Sequence, residues 1–253
     1  KNTDWDEVLD EVINCYRSFA NIVAARQQLI ILCHSKKSLE NLFDTDVMKN
    51  ILFVEMDFND TWVRDFGPIT IFRQGKPVVN DFKFNGWGLK FPSNLDNQAN
   101  KKLYKARVFR NDVSFVHRKD FILEGGSIET DGKGTLMVTQ QCLLSANRNE
   151  HLSKIEIEEE LRQTFGVERI LWLRHGQLVG DDTDGHIDTL ARFCDEKTIM
   201  YATCNNDDEH KNQLMKMEAE LKQFTMPDGQ KYRLVPVPLP NPVFNSEGTR
   251  LPA

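Results

Sequence analysis

The sequence predicts an α/β fold in which similar units are arranged radially around one axis. Amphipathic helices alternate with short apolar strands along the chain, which is typical of α/β proteins. Three polar residues, Asp65, Glu124 and His186, each precede an apolar stretch of strand character, and they lie 59 and 62 residues apart. This near-equal spacing indicates a repeated supersecondary unit whose equivalent positions converge on one axis.

The first helix is predicted over residues 5–28, where apolar residues recur at three- and four-residue spacings. Two uninterrupted apolar runs, at residues 29–33 and 51–54, predict buried strands. Further helices are predicted at about 152–165 and 207–224, and further strands at 169–173, 186–193, 198–203 and 232–237. The proline-rich stretch at 235–242 is interpreted as a strand that leaves its sheet into a turn, in preference to a polyproline ligand.

The three polar residues are expected at the mouths of strands that continue into hairpins. These strands are predicted at residues 67–72, 125–128 and 187–190. Extending the interval predicts one more unit near position 247 and another near position 310, past the last residue of the chain. The chain begins with Lys1 and closes just after a turn-rich segment, so we expect a fragment that lacks material at both ends.

Composition argues against several classes of protein. The 253 residues carry 32 basic and 38 acidic side chains, and the resulting net charge of −6 argues against a nucleic-acid partner. The sequence has no apolar run of eighteen residues and no signal-peptide pattern, so no membrane association is expected. The five cysteines are widely spread and form no C-x-x-C pair, which supports neither a disulfide framework nor a zinc ribbon and predicts a reducing, cytoplasmic location.

The segment at residues 180–188 crowds five acidic or imidazole groups into eight positions. Such groups repel one another unless a cation, a charged ligand or an arginine lies among them. A calcium loop does not fit, because its first and twelfth positions are not acidic. A transition metal on His186 and Asp188, with Asp65 or His175 as further ligands, has no recognisable ligand spacing. A guanidinium ion is the third candidate, because its planar donors match paired carboxylates.

Five motifs follow one another along the chain: DTWVRDFGP at 60–68, FKFNGWG at 82–88, LEGGSI at 123–128, CLLSANRN at 142–149 and GDDTDGHID at 180–188. In these motifs and their spacing the chain resembles the agmatine deiminases of the guanidine-modifying (pentein) superfamily, which also groups bacterial peptidylarginine deiminases. The resemblance covers nearly the whole chain. It implies an α/β fold that is a fivefold pseudosymmetric propeller of ββαβ units, incomplete here, with residues 1–253 as a single catalytic domain lacking the N-terminal strand and the C-terminal unit.

The resemblance also implies a reaction. Agmatine would be hydrolysed to N-carbamoylputrescine and ammonia, as in putrescine biosynthesis, through a covalent amidino intermediate on cysteine and without a metal or organic cofactor. The residues that match Asp65 and Asp188 hold the guanidinium from two sides, and the residue that matches Glu124 lies beside them. The residue that matches His186 is the acid/base, a role that suits an imidazole donating a proton to departing ammonia.

Three further residues are candidates for binding the substrate. Trp62 matches the residue that walls the pocket in the family, and Asp182 and Trp87 are added as candidates for holding the far end of the substrate. An acid such as Asp182 suits the ammonium group of agmatine, whereas the carboxylate of free arginine calls for a basic side chain. Peptidylarginine or free arginine therefore remains the alternative substrate.

The chain departs from the family pattern at the nucleophile. Cys15 lies in a predicted helix, and Cys33, Cys194 and Cys204 lie in or at the ends of apolar strands, where buried inert thiols are usual. Cys142 precedes a turn and is expected outside the charged cluster. None of the five is assigned as the nucleophile, which is expected near position 310. The chain alone is therefore expected to be inactive.

Two hypotheses from other classes stay open. One is a non-catalytic module or pseudoenzyme that holds guanidino compounds without converting them. The other is a metal-dependent hydrolase that uses His186, Asp188 and Asp65 and loses activity to chelators. The expected partner is a small cationic guanidino compound, with no nucleic acid and no membrane, and the formation of a homo-oligomer is left open.

Overall fold

Four small β-sheets form the frame of the part of the chain that the structure describes, which is residues 8–204, 209–244 and 248 of a computed structural model. Helices connect the strands and cover them, so the fold is mixed α/β, as predicted. Nowhere in these ranges is a helix both long and apolar enough to cross a lipid bilayer.

The first sheet consists of two parallel strands, β1 (Leu29–Cys33) and β2 (Ile51–Glu55). Helix α1 (Leu9–Ala24) precedes β1, and α2 (Thr45–Met48) precedes β2. The helix predicted at 5–28 is therefore shorter than expected, and residues 5–7 of that prediction lie outside the described ranges. At its end the amide of Arg26 donates to the carbonyl of Val23, three residues back, and such a bond tightens the last turn of a helix.

The other three sheets share one topology: an antiparallel hairpin is followed, after helices, by a strand parallel to the second strand of that hairpin. They are β3 (Ile69–Arg73), β4 (Lys76–Lys83) and β5 (Ser114–Ile122); β6 (Ile128–Thr130), β7 (Thr135–Thr139) and β8 (Arg169–Leu173); and β9 (Ala191–Phe193), β10 (Thr198–Thr203) and β11 (Arg233–Pro238). Their first strands begin 59 and 63 residues apart, which confirms the predicted repeat.

The helices of these units are short. They are α3 (Val63–Phe66) before the first hairpin; α4 (Gly86–Leu89) and α5 (Ala99–Lys105) in the first unit; α6 (Gln140–Leu143), α7 (Ala146–Asn149) and α8 (Lys154–Phe165) in the second; and α9 (Lys211–Leu221) in the third. Helix α8 begins at a capping box, in which Ser153 and Glu156 satisfy each other's backbone amides, and it ends at Gly166 in the left-handed conformation.

The prediction that the three polar residues directly precede strands was wrong in detail, because a helical turn separates each of them from its hairpin. Asp65 lies within α3, and 3₁₀ turns at Gly125–Ser127 and Ile187–Thr189 follow Glu124 and His186. Each 3₁₀ turn is closed by a backbone hydrogen bond, from Ser127 to the carbonyl of Glu124 and from Leu190 to that of Ile187. The predicted strand at 186–193 is consequently reduced to β9.

Two of the hydrophobic cores are shared between consecutive units. Met217 of the third unit is buried in one core with Met137 and Leu171 of the second unit, and Ile157 of the second unit is buried in another core with Phe82 of the first. Each fully buried aliphatic side chain of this size stabilises the fold by about 1.5–3 kcal/mol. Neighbouring units are therefore packed against each other through these shared cores.

The proline-rich stretch begins as a strand, as predicted. Strand β11 is the edge of its sheet and lies parallel to β10, with Pro236 opposite Tyr201. A proline has no amide hydrogen to donate, so an edge strand tolerates it where a central strand does not.

Candidate active site

Asp65 is buried at the end of α3, and each of its two carboxylate oxygens accepts one hydrogen bond. The backbone amide of Gly126 donates to Oδ1 at 2.9 Å, and the indole Nε1 of Trp87 donates to Oδ2 at 2.9 Å. Burial raises the pKa of Asp65 to about 6, although these two donors act in the opposite direction. Asp65 is therefore a fixed carboxylate that changes charge near neutral pH.

Trp87 reaches Asp65 because the chain makes a left-handed turn at Gly86–Leu89. Trp87 itself has a φ of 53°, a conformation that a residue with a side chain adopts only when its surroundings enforce it. The side chain of Asn85 enforces it by accepting from the amide of Gly88 at 2.9 Å and donating to the carbonyl of Asn147 at 2.7 Å. The indole of Trp87 is buried against Asp65, so a contact of Trp87 with the far end of a substrate stays a prediction.

Gly126 marks the point where the polar groups of the three units meet. A methyl group added to it would clash with Nδ1 of His186 and would lie 2.8 Å from Oδ1 of Asp65 and 2.9 Å from Oδ2 of Asp188. The three side chains therefore surround the face of the glycine Cα, and only a residue without a Cβ leaves the space between them open. The predicted convergence of Asp65, Glu124, His186 and Asp188 is present in the structure.

His186 is buried between Asp65 and Glu124. Its Nδ1 lies 3.6 Å from Oδ1 of Asp65, and its Nε2 has no hydrogen-bond partner among the described residues. Burial, together with the positive charge of Arg148, lowers the pKa of His186 to about 3. The imidazole is therefore neutral at physiological pH. Burial also raises the pKa of the half-buried Asp188.

Backbone amides and two basic side chains offset the repulsion among the acidic groups of residues 180–188. Asp181 accepts from the amides of Thr183 at 2.8 Å and Gly185 at 2.6 Å, and so it shapes the loop. Asp184 pairs with Lys90 at 2.6 Å and with Arg148 at 2.7 Å. These two cations, together with the backbone donors, offset the repulsion that the sequence predicted.

Arg148 is the site residue that the sequence analysis missed. Its side chain is fully buried, and its Nε donates to both carboxylate oxygens of Glu124 at 3.0 and 3.1 Å. Glu124 is also fully buried; burial raises its pKa, and the charge of Arg148 acts in the opposite direction. Two signals in the sequence pointed to such a residue: the arginine inside the motif at 142–149, and the need for a cation among the acids of 180–188.

Cys142 was expected outside the charged cluster, and this prediction is wrong, because Cys142 lies within the cluster. Its Sγ and the nearest ligand atoms of Glu124 and His186 are all within 4.8 Å of one another. Cys142 lies on α6, and the side chain of Thr139 caps the first turn of this helix. The hydroxyl of Thr139 also donates to the carbonyl of Gly185 at 2.7 Å and so holds α6 against the loop that carries His186. The sequence could not show the contact between Thr139 and Gly185, because the two residues are more than forty positions apart.

Cys142, Glu124 and His186 have the residue types of a metal site, but their surroundings do not favour a cation. Both oxygens of Glu124 are engaged by the positive charge of Arg148. Burial raises the pKa of Cys142 well above its usual value, so the sulfur is a neutral thiol. A divalent ion would therefore have to displace a guanidinium and a proton.

The remaining predicted residues lie at the periphery. Trp62 and Asp182 are exposed, and Asp182 offers its backbone carbonyl to Lys90 at 2.6 Å. His175, considered as a metal ligand, contacts Glu220 on α9, with Nδ1 at 2.9 Å from the carboxylate. Among the other cysteines, Cys194 is exposed, contrary to the expectation of a buried thiol, whereas Cys33 is buried as expected.

The chain is similar to several known proteins. The model of the family described as Porphyromonas-type peptidyl-arginine deiminase matches residues 1–253. An agmatine deiminase from Pseudomonas aeruginosa (strain UCBPP-PA14) is 36% identical over 234 residues, which are 88% of this chain and 61% of that protein. An agmatine deiminase from Medicago truncatula is 30% identical over 258 residues, 96% of this chain and 68% of that protein.

A solved structure is similar as well. The solved structure of a substituted agmatine deiminase from C. jejuni with substrate bound has a TM-score of 0.87 and 42% sequence identity, and the match covers 99% of this chain and 71% of that one. The chain thus spans roughly two thirds of the length of the proteins that it resembles.

Proposed function

The chain belongs to the Porphyromonas-type peptidyl-arginine deiminase family, and from this premise we propose that the protein hydrolyses a guanidino group, with agmatine as its substrate. The observation that carries the proposal is the meeting of Asp65, Asp188 and His186 around the open face of Gly126. A planar cation placed there would find a carboxylate on either side and a neutral imidazole at its edge. These are the groups needed to fix a guanidinium and move protons on and off its nitrogens.

The proposed chemistry proceeds through a sulfur nucleophile. A thiol gives its proton to His186 and attacks the guanidinium carbon, and the protonated His186 passes that proton to the departing amino group, which leaves as ammonia. Water then gives a proton to His186 and adds to the same carbon. The carbon–sulfur bond breaks, the thiolate takes back the proton held by His186, and the remaining proton of the original cation is released to solvent, where ammonia takes it up. The product is a ureido compound, which for agmatine is N-carbamoylputrescine, an intermediate of putrescine synthesis.

The attacking sulfur, we infer, is not one of the five cysteines of this chain. Cys142 is near enough to His186, but burial keeps it protonated, and it lies next to Glu124, a negative charge that disfavours a thiolate. Burial likewise raises the pKa of Cys33. The nucleophile is expected in a further unit at the same interval, with the chain as one catalytic domain of a fivefold ββαβ propeller. The three units of hairpin, helix and parallel strand support this architecture.

Agmatine is favoured over free arginine by the charges at the edge of the site. Asp182 is an exposed acid in the loop that carries His186, and it suits a terminal ammonium. A carboxylate would need a free basic group, and Lys90, which lies beside Asp182, is already paired with Asp184 at 2.6 Å. Trp62 is exposed on α3's N-terminal side and is proposed to cover the aliphatic part of the substrate.

The first prediction concerns substrate choice in the whole protein. We expect agmatine to be hydrolysed with a higher kcat/KM than free arginine or an arginine peptide blocked at both ends, as measured by ammonia release. Dominant turnover of the peptide would overturn the choice of agmatine in favour of a peptidylarginine deiminase. Binding of all three without ammonia release would instead identify a non-catalytic guanidino-binding module, and loss of activity to chelators would identify a metal-dependent hydrolase.

The second prediction concerns pH. Because the folded-state pKa of Asp65 is raised to about 6, its carboxylate is protonated below that pH and attracts a guanidinium only above it. We expect the affinity for methylguanidinium, measured by calorimetry, to rise about tenfold per pH unit in the acid range and to level off above about pH 6. The raised pKa values of Asp188 and Glu124 steepen the acid side of this profile.

Two substitutions test the assignment of this profile to Asp65. Trp87→Phe removes the indole donor to Oδ2, so the midpoint should move to higher pH; a hydrogen bond to a charged group contributes about 1.5–3 kcal/mol, or about one to two pH units. The control Asp120→Asn changes an exposed acid on β5 and should leave the midpoint in place. An unchanged midpoint in Trp87→Phe would show that Asp65 does not govern binding.

A further inference from the structure

Arg148 lies at the centre of a chain of alternating charges that runs from the middle of the site to the surface. Beyond its two bonds to Glu124, its Nη1 donates to Oδ2 of Asp184 at 2.7 Å and its Nη2 donates to the carbonyl of Thr183 at 2.9 Å. Lys90 donates from Nζ to the other oxygen of Asp184, Oδ1, at 2.6 Å. We call the series Glu124, Arg148, Asp184 and Lys90 the charge chain.

The inner part of the charge chain is sealed from water. Both Arg148 and Glu124 have fully buried side chains. Gly88 closes over the next pair, since a Cβ added to it would lie 3.3 Å from Nη1 of Arg148 and 3.3 Å from Oδ2 of Asp184. In such a low-dielectric setting, hydrogen-bonded ion pairs are strong, and breaking one leaves an uncompensated charge. The turn at Gly86–Leu89 therefore has two contacts with the site: Trp87 donates a hydrogen bond to Asp65, and Gly88 packs against Arg148.

Arg148 acts on the two groups nearest to the proposed reaction. The charged or titratable groups that face Glu124 are Arg148, Asp184, Cys142, His186 and Asp65. Arg148 is the one positive charge among the five at neutral pH, and an isolated buried carboxylate without it would take up a proton. The same positive charge helps to keep His186 neutral. Arg148 thus favours the charge states that the proposed reaction requires of both groups.

We propose that Arg148 is a positioning residue of this site: it orients Glu124 as a carboxylate toward the guanidino group and ties the loop at 180–188, which carries His186, to that carboxylate. The inference rests on the proposed function in that Glu124 is taken to face the substrate. Arg148 itself contacts neither substrate nor nucleophile. A lysine cannot replace it fully, because one ammonium cannot reach Glu124, Asp184 and the carbonyl of Thr183 in the fixed directions of a guanidinium.

The experiment compares Arg148→Met, Arg148→Lys, Glu124→Gln and the double variant Arg148→Met with Glu124→Gln, in the whole protein. Methylguanidinium affinity is measured by calorimetry, and the titration of the His186 imidazole is followed by NMR. We expect Arg148→Met to weaken binding about 10–100-fold, the range found when groups that orient a site are removed, and to raise the titration midpoint of His186. Arg148→Lys should restore the midpoint but only part of the affinity.

The double variant separates positioning from general damage. If Arg148 acts through Glu124, the double variant binds methylguanidinium as weakly as Glu124→Gln and no more weakly. If the two losses multiply, or if the His186 midpoint is unchanged in Arg148→Met, the inference is wrong. Arg148→Met leaves the buried charge of Glu124 alone and could fail to fold for that reason. The double variant removes that charge, so its affinity can still be compared with that of Glu124→Gln, and Arg148→Lys still reports the His186 midpoint and the affinity.

A matched control removes an arginine pair elsewhere. Arg118 on β5 pairs with Glu160 at 2.9 Å outside the charge chain, and Arg118→Met should leave both affinity and the His186 titration unchanged. Neither readout requires turnover. A wild-type protein that binds methylguanidinium but releases no ammonia would therefore refute the proposed hydrolysis and leave the test of Arg148 intact.

Discussion

Replacing His186 by alanine should lower agmatine turnover by about 10²–10⁴-fold, the usual contribution of general acid/base catalysis. The reason is that His186 is the buried imidazole at the meeting point of the three units, where its ring is neutral at physiological pH and its Nε2 has no hydrogen-bond partner among the described residues. The loss should fall on kcat. Methylguanidinium affinity should change little, because a neutral imidazole adds little attraction for a cation compared with the carboxylates of Asp65 and Asp188.

Two variants serve as controls for His186→Ala. His151→Ala removes an exposed histidine near the start of α8 and should leave turnover unchanged. Arg64→Lys keeps the positive charge on α3 and should be far milder than His186→Ala. A His186→Ala protein that retains turnover within about threefold of the wild type would remove the acid/base role from His186, since the expected loss begins at about a hundredfold.

Adding a single methyl group at Gly126 should abolish guanidinium binding. The new Cβ of Gly126→Ala would occupy the space between His186, Asp65 and Asp188 and would push the three groups apart. A displacement of about 1 Å in such a site costs on the order of a hundredfold in rate, so turnover should fall together with binding. The measurement is methylguanidinium binding by calorimetry, together with the thermal midpoint of unfolding to show that the variant folds.

The control for Gly126→Ala is Gly132→Ala. Gly132 has a φ of +68°, so alanine there strains the backbone, but its added methyl group would meet nothing within 4 Å. We expect Gly132→Ala to lower the thermal midpoint slightly and to bind methylguanidinium like the wild type. If Gly126→Ala also binds like the wild type, the guanidino group does not lie on the face of Gly126, and the proposed site is wrong.

The repeated units could be predicted from the sequence because local signals and their spacing carry the information. The apolar run at 169–173 is strand β8 residue for residue, and the same holds for β1 and β10. The 3₁₀ turns after Glu124 and His186 could not be predicted, since three residues of helical turn have no periodicity that distinguishes them from the start of a strand.

The centre of the site could be predicted only in part, and the reason is again physical. Asp65, Glu124 and His186 each lie just before the first strand of a unit, and Asp188 follows His186 by two residues, so topology brings the four together. Arg148 has partners 24 residues before it and 36 residues after it, at positions that no repeat relates. The contacts of such a residue become visible only when the packing of the units is known.

The distribution of the site over three units has a consequence for its persistence. Asp65 precedes the first hairpin, Gly126 the second and His186 the third, and the hydrophobic cores are shared between consecutive units. Separation of one unit from its neighbour would therefore expose a shared core and open the pocket at the same time. A cation held between the three acts as a non-covalent cross-link, so ligand occupancy and inter-unit cohesion are thermodynamically coupled.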